Sequence, residues 1–282
     1  IIFRDSFGSS IAPLLVQDYA KVTLVDIRYI QIDMLERFVE FGAPEEILYQ
    51  AKPHIGTDHL RAVVRNMRME IIRLGGEVRF ETKLTKLDFA GGVLKGAEID
   101  GEMVPCDHLI LAIGHSARDT FEMLNDKKLP IEAKPFSVGA RIEHLREDID
   151  KSRYGKFAGN KALGAAYYKL NVHTSDKRGA YTFCMCPGGF VVNASSEEKR
   201  LAVNGMSYSK RNSESANSAI IISVTQSDFK SKEPLAGIEF QRNLEEKAYT
   251  LGNGNIPYTT YGELLNSRGI NALKDTSNAH YF

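Results

Sequence analysis

The stretch HLILAIGHSARDT, His108 to Thr120, constrains the fold of this chain more than any other. Leu109 to Ile113 are apolar without interruption, and Gly114 ends the run. An unbroken apolar run bounded by glycine predicts a strand buried on both faces, as in a parallel sheet. Open α/β sheets hold ligands beyond the carboxyl ends of such strands. That makes His115, Ser116, Arg118 and Asp119 the first residues to examine for function.

The flanking sequence supplies an order for this strand. Residues 1 to 30 read as β-α-β, with IIF and KVTLVDIRY as strands around the helical SSIAPLLVQDYA. Met34 to Phe41 reads as a helix with Leu35, Phe38 and Val39 on one face, and Pro44 starts a short second helix. A longer helix follows, capped by Thr57 or Asp58, with Leu60, Val63, Val64, Met67, Ile71 and Leu74 at helical spacing. Gly75-Gly76 ends it, and EVRF enters a strand. Turns at Gly91-Gly92 and Asp100-Gly101 then predict a three-strand meander leading into the opening stretch. Beyond Ile131 the pieces SVGARIEHL, YTFCMC, FVVNAS and AIIISV predict strands, and the polar NGMSYSKRNSESANS predicts a surface loop.

Composition narrows the partners. Across 282 residues, 36 lysines and arginines balance 36 aspartates and glutamates, which argues against a nucleic-acid binder or a membrane-surface binder. No apolar run approaches a membrane span, and no signal peptide is visible. Three cysteines are too few for a disulfide scaffold, so a reducing, cytoplasmic setting is expected. The opening IIF without methionine and the ending NAHYF read as a fragment or an assembled piece.

Several side chains invite chemistry. Cys184 and Cys186 stand in FCMCPGG, and in an extended strand a C-x-C pair points to one face. They read as a redox pair or as small core hydrophobes; with no further ligand at familiar spacing, no metal site is assigned. Gly188 and Gly189 would let backbone approach a substrate. His115 suits acid–base work near neutral pH, and His54, ahead of a helix, suits a phosphate or substrate contact. Either histidine reads equally as a hydrogen-bonded structural residue. Arg118 reads as a contact to an anionic ligand or as a local partner of Asp119 and Glu122.

The order helix, Gly-Gly, strand, meander and Ala-Ile-Gly strand is that of the second half of the nucleotide-binding domain in many flavoproteins. FGAPEEILYQAKPHIGTDHL, AIGHSARDTFEML, KPFSVGARIEH, FCMCPGGFVVNASSEE and NGMSYSKRNSESANSAI carry the likeness further. Together they resemble the uncharacterised FAD-dependent dehydrogenases of bacteria, over about Phe38 to Gly262. The resemblance implies an oxidoreductase of α/β class with FAD as cofactor: a partial FAD-binding, Rossmann-like domain and an inserted β-rich (α+β) substrate domain. On this reading Leu84, Ala112, Ile113, Gly114 and Arg118 line the cofactor. His115, Cys184 and Cys186 are the catalytic candidates, and His54, Gly188 and Gly189 face an unnamed small-molecule substrate. The domains expected are 1–37, of foreign origin, 38–130 for FAD, 131–262 for substrate, and a tail at 263–282.

Two departures qualify the resemblance. The chain has no G-x-G-x-x-G turn; GNGNIP at Gly252 places proline where the third glycine belongs. The family's carboxyl-terminal glycine segment is also missing, so impaired FAD binding is expected. Residues 1–30 instead resemble the DHHW proteins, relatives of the SGNH hydrolases. That likeness implies acyl transfer through Ser6 as the rival function, with helix capping by Asp5 or Ser6 as the simpler reading.

Overall fold

A computed structural model describes residues 2–4, 24–26, 32–50, 53–266 and 271–272. Two compact units divide the chain, Ile1–Val78 and Arg79–Phe282. The division falls inside the span 38–130 that the sequence groups as one domain.

In the first unit, β1 (Ile2–Arg4) pairs in parallel with β2 (Leu24–Asp26), Ile2 opposite Leu24. The helix expected between them lies outside the described residues, as does Ser6. Helix α1 (Ile32–Glu40) and the 3-10 turn Glu45–Leu48 lead to α2 (Thr57–Arg73). Leu35, Ala43, Ile47 and Val63 form the core of this unit, with Phe38, Val39 and Met67 against it. The cap of α2 differs from expectation. Gly56 occupies the N-cap position at φ +87°, and neither Thr57 nor Asp58 takes that place. The other end follows the sequence: Gly75, at φ +91°, donates to Ile72 O, and Gly76 donates to Ile71 O. Only part of the apolar stripe of α2 is covered, since Val63 is buried while Leu60, Val64, Ile71 and Leu74 are exposed.

The second unit opens with the expected meander, β3 (Leu84–Ala90), β4 (Val93–Ile99) and β5 (Glu102–Pro105), all antiparallel. Both turns are two-residue loops with positive φ at each central residue, Gly91-Gly92 and Asp100-Gly101. That backbone follows the right-handed twist of the strands and favours glycine, asparagine or aspartate. Helix α3 (Arg118–Asp126) covers the meander, and Leu87, Ala97 and Leu124 are buried between them.

Two predicted strands do not form. EVRF is irregular, and so is the segment from His108 to Gly114, in which Leu109 is 38% and Ile110 73% exposed. A strand covered on both faces needs hydrogen-bonded neighbours on both edges. Among the described residues none pairs with either segment. Only Leu111 packs inward, against the Leu87 cluster.

The remainder is organised around a four-stranded antiparallel sheet in the order β6 (Phe136–Leu145), β11 (Ser215–Val224), β8 (Gly179–Cys186), β7 (Asn171–His173). Helix α4 (Arg146–Tyr154) follows β6, and the hairpin β9 (Gly189–Asn193) with β10 (Val203–Ser207) forms its own sheet. The segment expected as one polar loop is therefore shorter than predicted. Val203 to Ser207 and Ser215 onward are strands, and only residues 208–214 remain as connection. Helix α5 (Ala236–Leu251) closes one end, where Phe136, Phe229 and Phe240 stack beside buried Val224 and Ala236. Short β12 (Pro257–Tyr258), α6 (Tyr261–Leu265) and β13 (Asn271–Ala272) follow, with Thr260 and Glu263 forming a capping box on α6.

One ion network ties α3, α5 and the β9–β10 connection together. Arg118, 2% exposed, donates to both oxygens of Glu245 at 2.7 and 2.8 Å, to Gln241 and to Glu197. Arg242 binds the same Glu197 and also Glu122 and Glu239. With Arg242, and then Arg118, donating to it, the Glu197 carboxyl is held down at about 2. Its unfolded value is near 4.5, so its stabilisation is complete above pH 4.5 and is lost as pH falls toward 2. Unfolding stability should decline by up to about 3 kcal/mol across that window. In Glu197→Gln this component of the acid decline should be absent, as urea melts at successive pH values would show. Arg118→Ala leaves two half-desolvated carboxylates without their shared cation, and should cost about 3–5 kcal/mol at neutral pH.

Candidate functional site

The second unit places its reactive side chains where β8 departs from regular pairing with β11. Asn217 faces Cys186 and Ala219 faces Phe183, so two residues, Cys184 and Met185, stand opposite Ser218 alone. This is a β-bulge, a device that re-aims side chains and is frequent beside functional sites. Cys184 carries its distortion, with φ +45° on a non-glycine residue.

Arg141 on β6 fills the space this creates. Its Nε donates to Asn217 Oδ1 at 2.9 Å, its Nη1 to Asn204 Oδ1 at 3.3 Å and its Nη2 to Cys184 O at 2.7 Å. Nη2 also lies 3.8 Å from Cys186 Sγ, whose thiol donates to Cys184 O. Asn217 is fully buried, and its Nδ2 has no acceptor. The strand alternation expected to relate the two cysteines is broken by the bulge; what they share is Arg141. Cys184 is exposed by area, yet enough protein surrounds its sulfur to raise its pKa. Burial also raises Cys186, and the Arg141 charge opposes the rise at both.

Glycines make this packing attainable. A Cβ on Gly205 would stand 2.2 Å from Arg141 Nη2 and 2.5 Å from Asn217 Oδ1, so the β10 backbone lies directly on the guanidinium. Gly188, at φ +54°, packs so closely on the carbonyl of Arg211 that a Cβ would fall 1.8 Å from it. The buried turn Pro187-Gly188-Gly189 therefore holds residues 208–214 by backbone contact, and brings Arg211 to the thiol side.

The other candidate residues are distributed differently. Ala112, Gly114 and His115 are exposed on the irregular segment before α3, and Ile113 is half-buried there. Gly114 has φ +68° with open space where a Cβ would stand, and the His115 ring lies 3.4 Å from Ser116 Oγ. Leu84 packs into the Leu87 core, and the Arg118 guanidinium is enclosed by Glu197 and Glu245. Both are turned to protein rather than to a ligand in this structure. His54 is half-buried in the first unit. The structure brings the predicted Cys184, Cys186, Gly188 and Gly189 into one cluster with Arg141, Asn217, Gly205 and Arg211, which sequence reading did not single out. The available signal was the polar residues inside two apolar strands, arginine in SVGARIEHL and asparagine in SANSAIIISV.

An open cleft of about 530 Å³, lined by residues including Phe229, Leu235, Phe240 and Leu244, shares no residue with this cluster. Among the described residues no three histidine, cysteine or acidic side chains converge as metal ligands. No described helix is long and apolar enough to cross a membrane.

The glycine contacts generate a direct test. Gly205→Ala should force Arg141 off Cys184 O and cost roughly 1–3 kcal/mol by overpacking, measured by chemical denaturation. With the cation displaced, the thiol titration of Cys184 and Cys186 should move to higher pH, read by alkylation rate against pH.

Comparison with known proteins agrees with this emphasis on the β-rich region. An uncharacterised protein of Clostridium beijerinckii is 47% identical over 238 residues, which are 83% of this chain and 45% of that protein. The chain therefore spans under half the length of this relative. The family described as "FAD-dependent protein, C-terminal domain-like" matches residues 135–281, a span holding β6, the cysteine bulge, the glycine turn and α5. With more than half of its residues inside that match, the chain belongs to the FAD-dependent protein C-terminal domain-like family.

Proposed function

We propose that this chain is part of an FAD-dependent oxidoreductase, a dehydrogenase in which residues 131–262 form the substrate domain. Residues 38–130 then contribute a partial Rossmann-like half, and Cys184, Cys186, Gly188 and Gly189 face the substrate. The observation that carries this reading is the family match over 135–281, coincident with a strained, cation-lined dithiol. In solution the protein is taken to be cytoplasmic, with a small-molecule substrate and no nucleic-acid partner.

The residues assigned to FAD do not make a flavin site by themselves. Arg118 is enclosed by carboxylates, and Leu84 is part of a core. The chain contains no G-x-G-x-x-G turn to hold the pyrophosphate. What remains is the segment Ala112 to Gly114, exposed at Ala112 and Gly114, with open space where a Cβ on Gly114 would stand. The pyrophosphate-binding groups would have to come from outside the described residues. Ser6 of the rival acyl-transfer reading lies outside the described residues, and no observation favours that reading.

Two measurements test the proposal. The chain mixed with excess FAD and passed through gel filtration should retain well under one flavin per chain. Several charge-assisted phosphate contacts, each worth roughly 1.5–3 kcal/mol, have no donors here. Stoichiometric retention would overturn the impaired-binding part of this reading and would support the FAD-dependent part. Gly114→Val should cost the chain only the strain of its positive φ, roughly 1–2 kcal/mol, because the space around it is open. If that backbone meets the flavin, whatever FAD affinity the chain has should fall at least about tenfold in the variant, as a wedge of about 1.4 kcal/mol or more would require. An unchanged affinity would mark Gly114 as a turn residue only.

A further inference from the structure

Two arginines of the second unit stand apart from all the others near them. Arg118 and Arg242 are matched by carboxylates, whereas Arg141 and Arg211 form no ion pair with any described residue. Arg141 is held by two amide oxygens and a carbonyl, all neutral acceptors. Arg211 is half-buried, its Nε has no acceptor, and the one charge interaction it makes is with Cys186. Glu143, two residues along β6 from Arg141, has buried carboxyl oxygens and adds at most one negative charge to this face. Two guanidiniums against one carboxylate leave the surroundings of Cys186 with net positive charge.

A buried cation without a counter-ion is costly, and proteins retain one where a ligand supplies the missing charge. The unmet donors here are also specific. Arg211 Nε–H and an N–H of the buried Asn217 amide both lack acceptors. Each flanks Cys186, which is paired with Asn217 across the sheet and interacts electrostatically with Arg211, and a carboxylate, with two acceptor oxygens and one charge, is the smallest anion that answers both a guanidinium and an amide N–H. Three hydrogen bonds fix the Arg141 guanidinium, and the Gly188 contact fixes the backbone of Arg211. We propose that Arg141, Arg211 and Asn217 form a binding site for the carboxylate of an anionic small molecule, seated beside Cys186. Calling that molecule the substrate rests on the reading of this face as substrate-facing; the anion site itself does not require a flavin.

Alkylation of the full chain tests the site without FAD, so its result is independent of flavin retention. Iodoacetate and iodoacetamide react with the same thiolate and differ in carrying a carboxylate, so their rate ratio removes the thiol pKa from the comparison. Measured residue by residue by mass spectrometry, the ratio at Cys184 and Cys186 should exceed that at Cys106 by about fivefold or more at low salt. Arg211→Gln should bring it down toward the Cys106 value, and Arg211→Lys should retain it. Arg211 makes no side-chain hydrogen bond, so the fold should survive either change, as circular dichroism would verify. A wild-type ratio equal to that of Cys106 would overturn the proposal. So would a high ratio that persists in Arg211→Gln, or thiols closed to both reagents.

Discussion

Asn217 sits in a strand hydrogen-bonded along both edges and is fully buried. A polar side chain in that position must find protein partners or be lost to selection on stability. Arg141 is the partner, and its forked guanidinium then needs further acceptors of its own. It reaches Asn204 on the β10 hairpin strand and the carbonyl of Cys184. A carbonyl is free to accept sideways from a sheet only where the ladder is interrupted, which is what the bulge in β8 provides. The strained Cys184, the side-chainless Gly205 and the thiol position of Cys186 all surround the arginine that partners the buried Asn217 oxygen.

The molecule uses arginine in two opposed ways. Around Glu197 and Glu245, arginines are fully matched, and the network joins α3, α5 and the β9–β10 connection. Its energetic role is to keep buried charge compensated, and it offers nothing to a ligand. Around Cys186, arginines are held in place by neutral dipoles and by backbone packing, and their charge stays uncompensated. Membership of an FAD-dependent family points to redox chemistry somewhere in the assembled protein. The contribution visible in this chain is electrostatic: Arg141 lies against two thiols whose pKa burial raises and the Arg141 charge lowers.

Local patterns were legible wherever the physics is local. Gly91-Gly92 and Asp100-Gly101 announce two-residue hairpins because few other pairs tolerate positive φ twice in succession. Gly75 ends α2 because it takes a positive φ, +91°, that other residues rarely adopt. The apolar runs of β6, β8 and β11 were also readable as strands. The prediction for Leu109 to Ile113 fails on a non-local condition: an apolar run says that burial is favourable but does not supply the neighbours that bury it. The polar NGMSYSKRNSESANS fails in the opposite sense. Serines and asparagine read as loop residues until Arg141 and the sheet edges are present to satisfy them.

By itself the sequence determined the meander, its turns, the carboxyl end of α2 and the β-rich second half. Each of these depends on backbone conformations or periodicities set within a few residues. Only the tertiary structure decided which arginines pair with carboxylates and which are held by neutral acceptors. Arg118 stands beside an attractive glycine turn in sequence but is enclosed by glutamates 79 and 127 residues away. Arg141 looks like an ordinary strand residue but meets a cysteine 45 residues on. The charge state of a side chain's surroundings is a sum over neighbours in space, and that sum cannot be formed until the chain has folded.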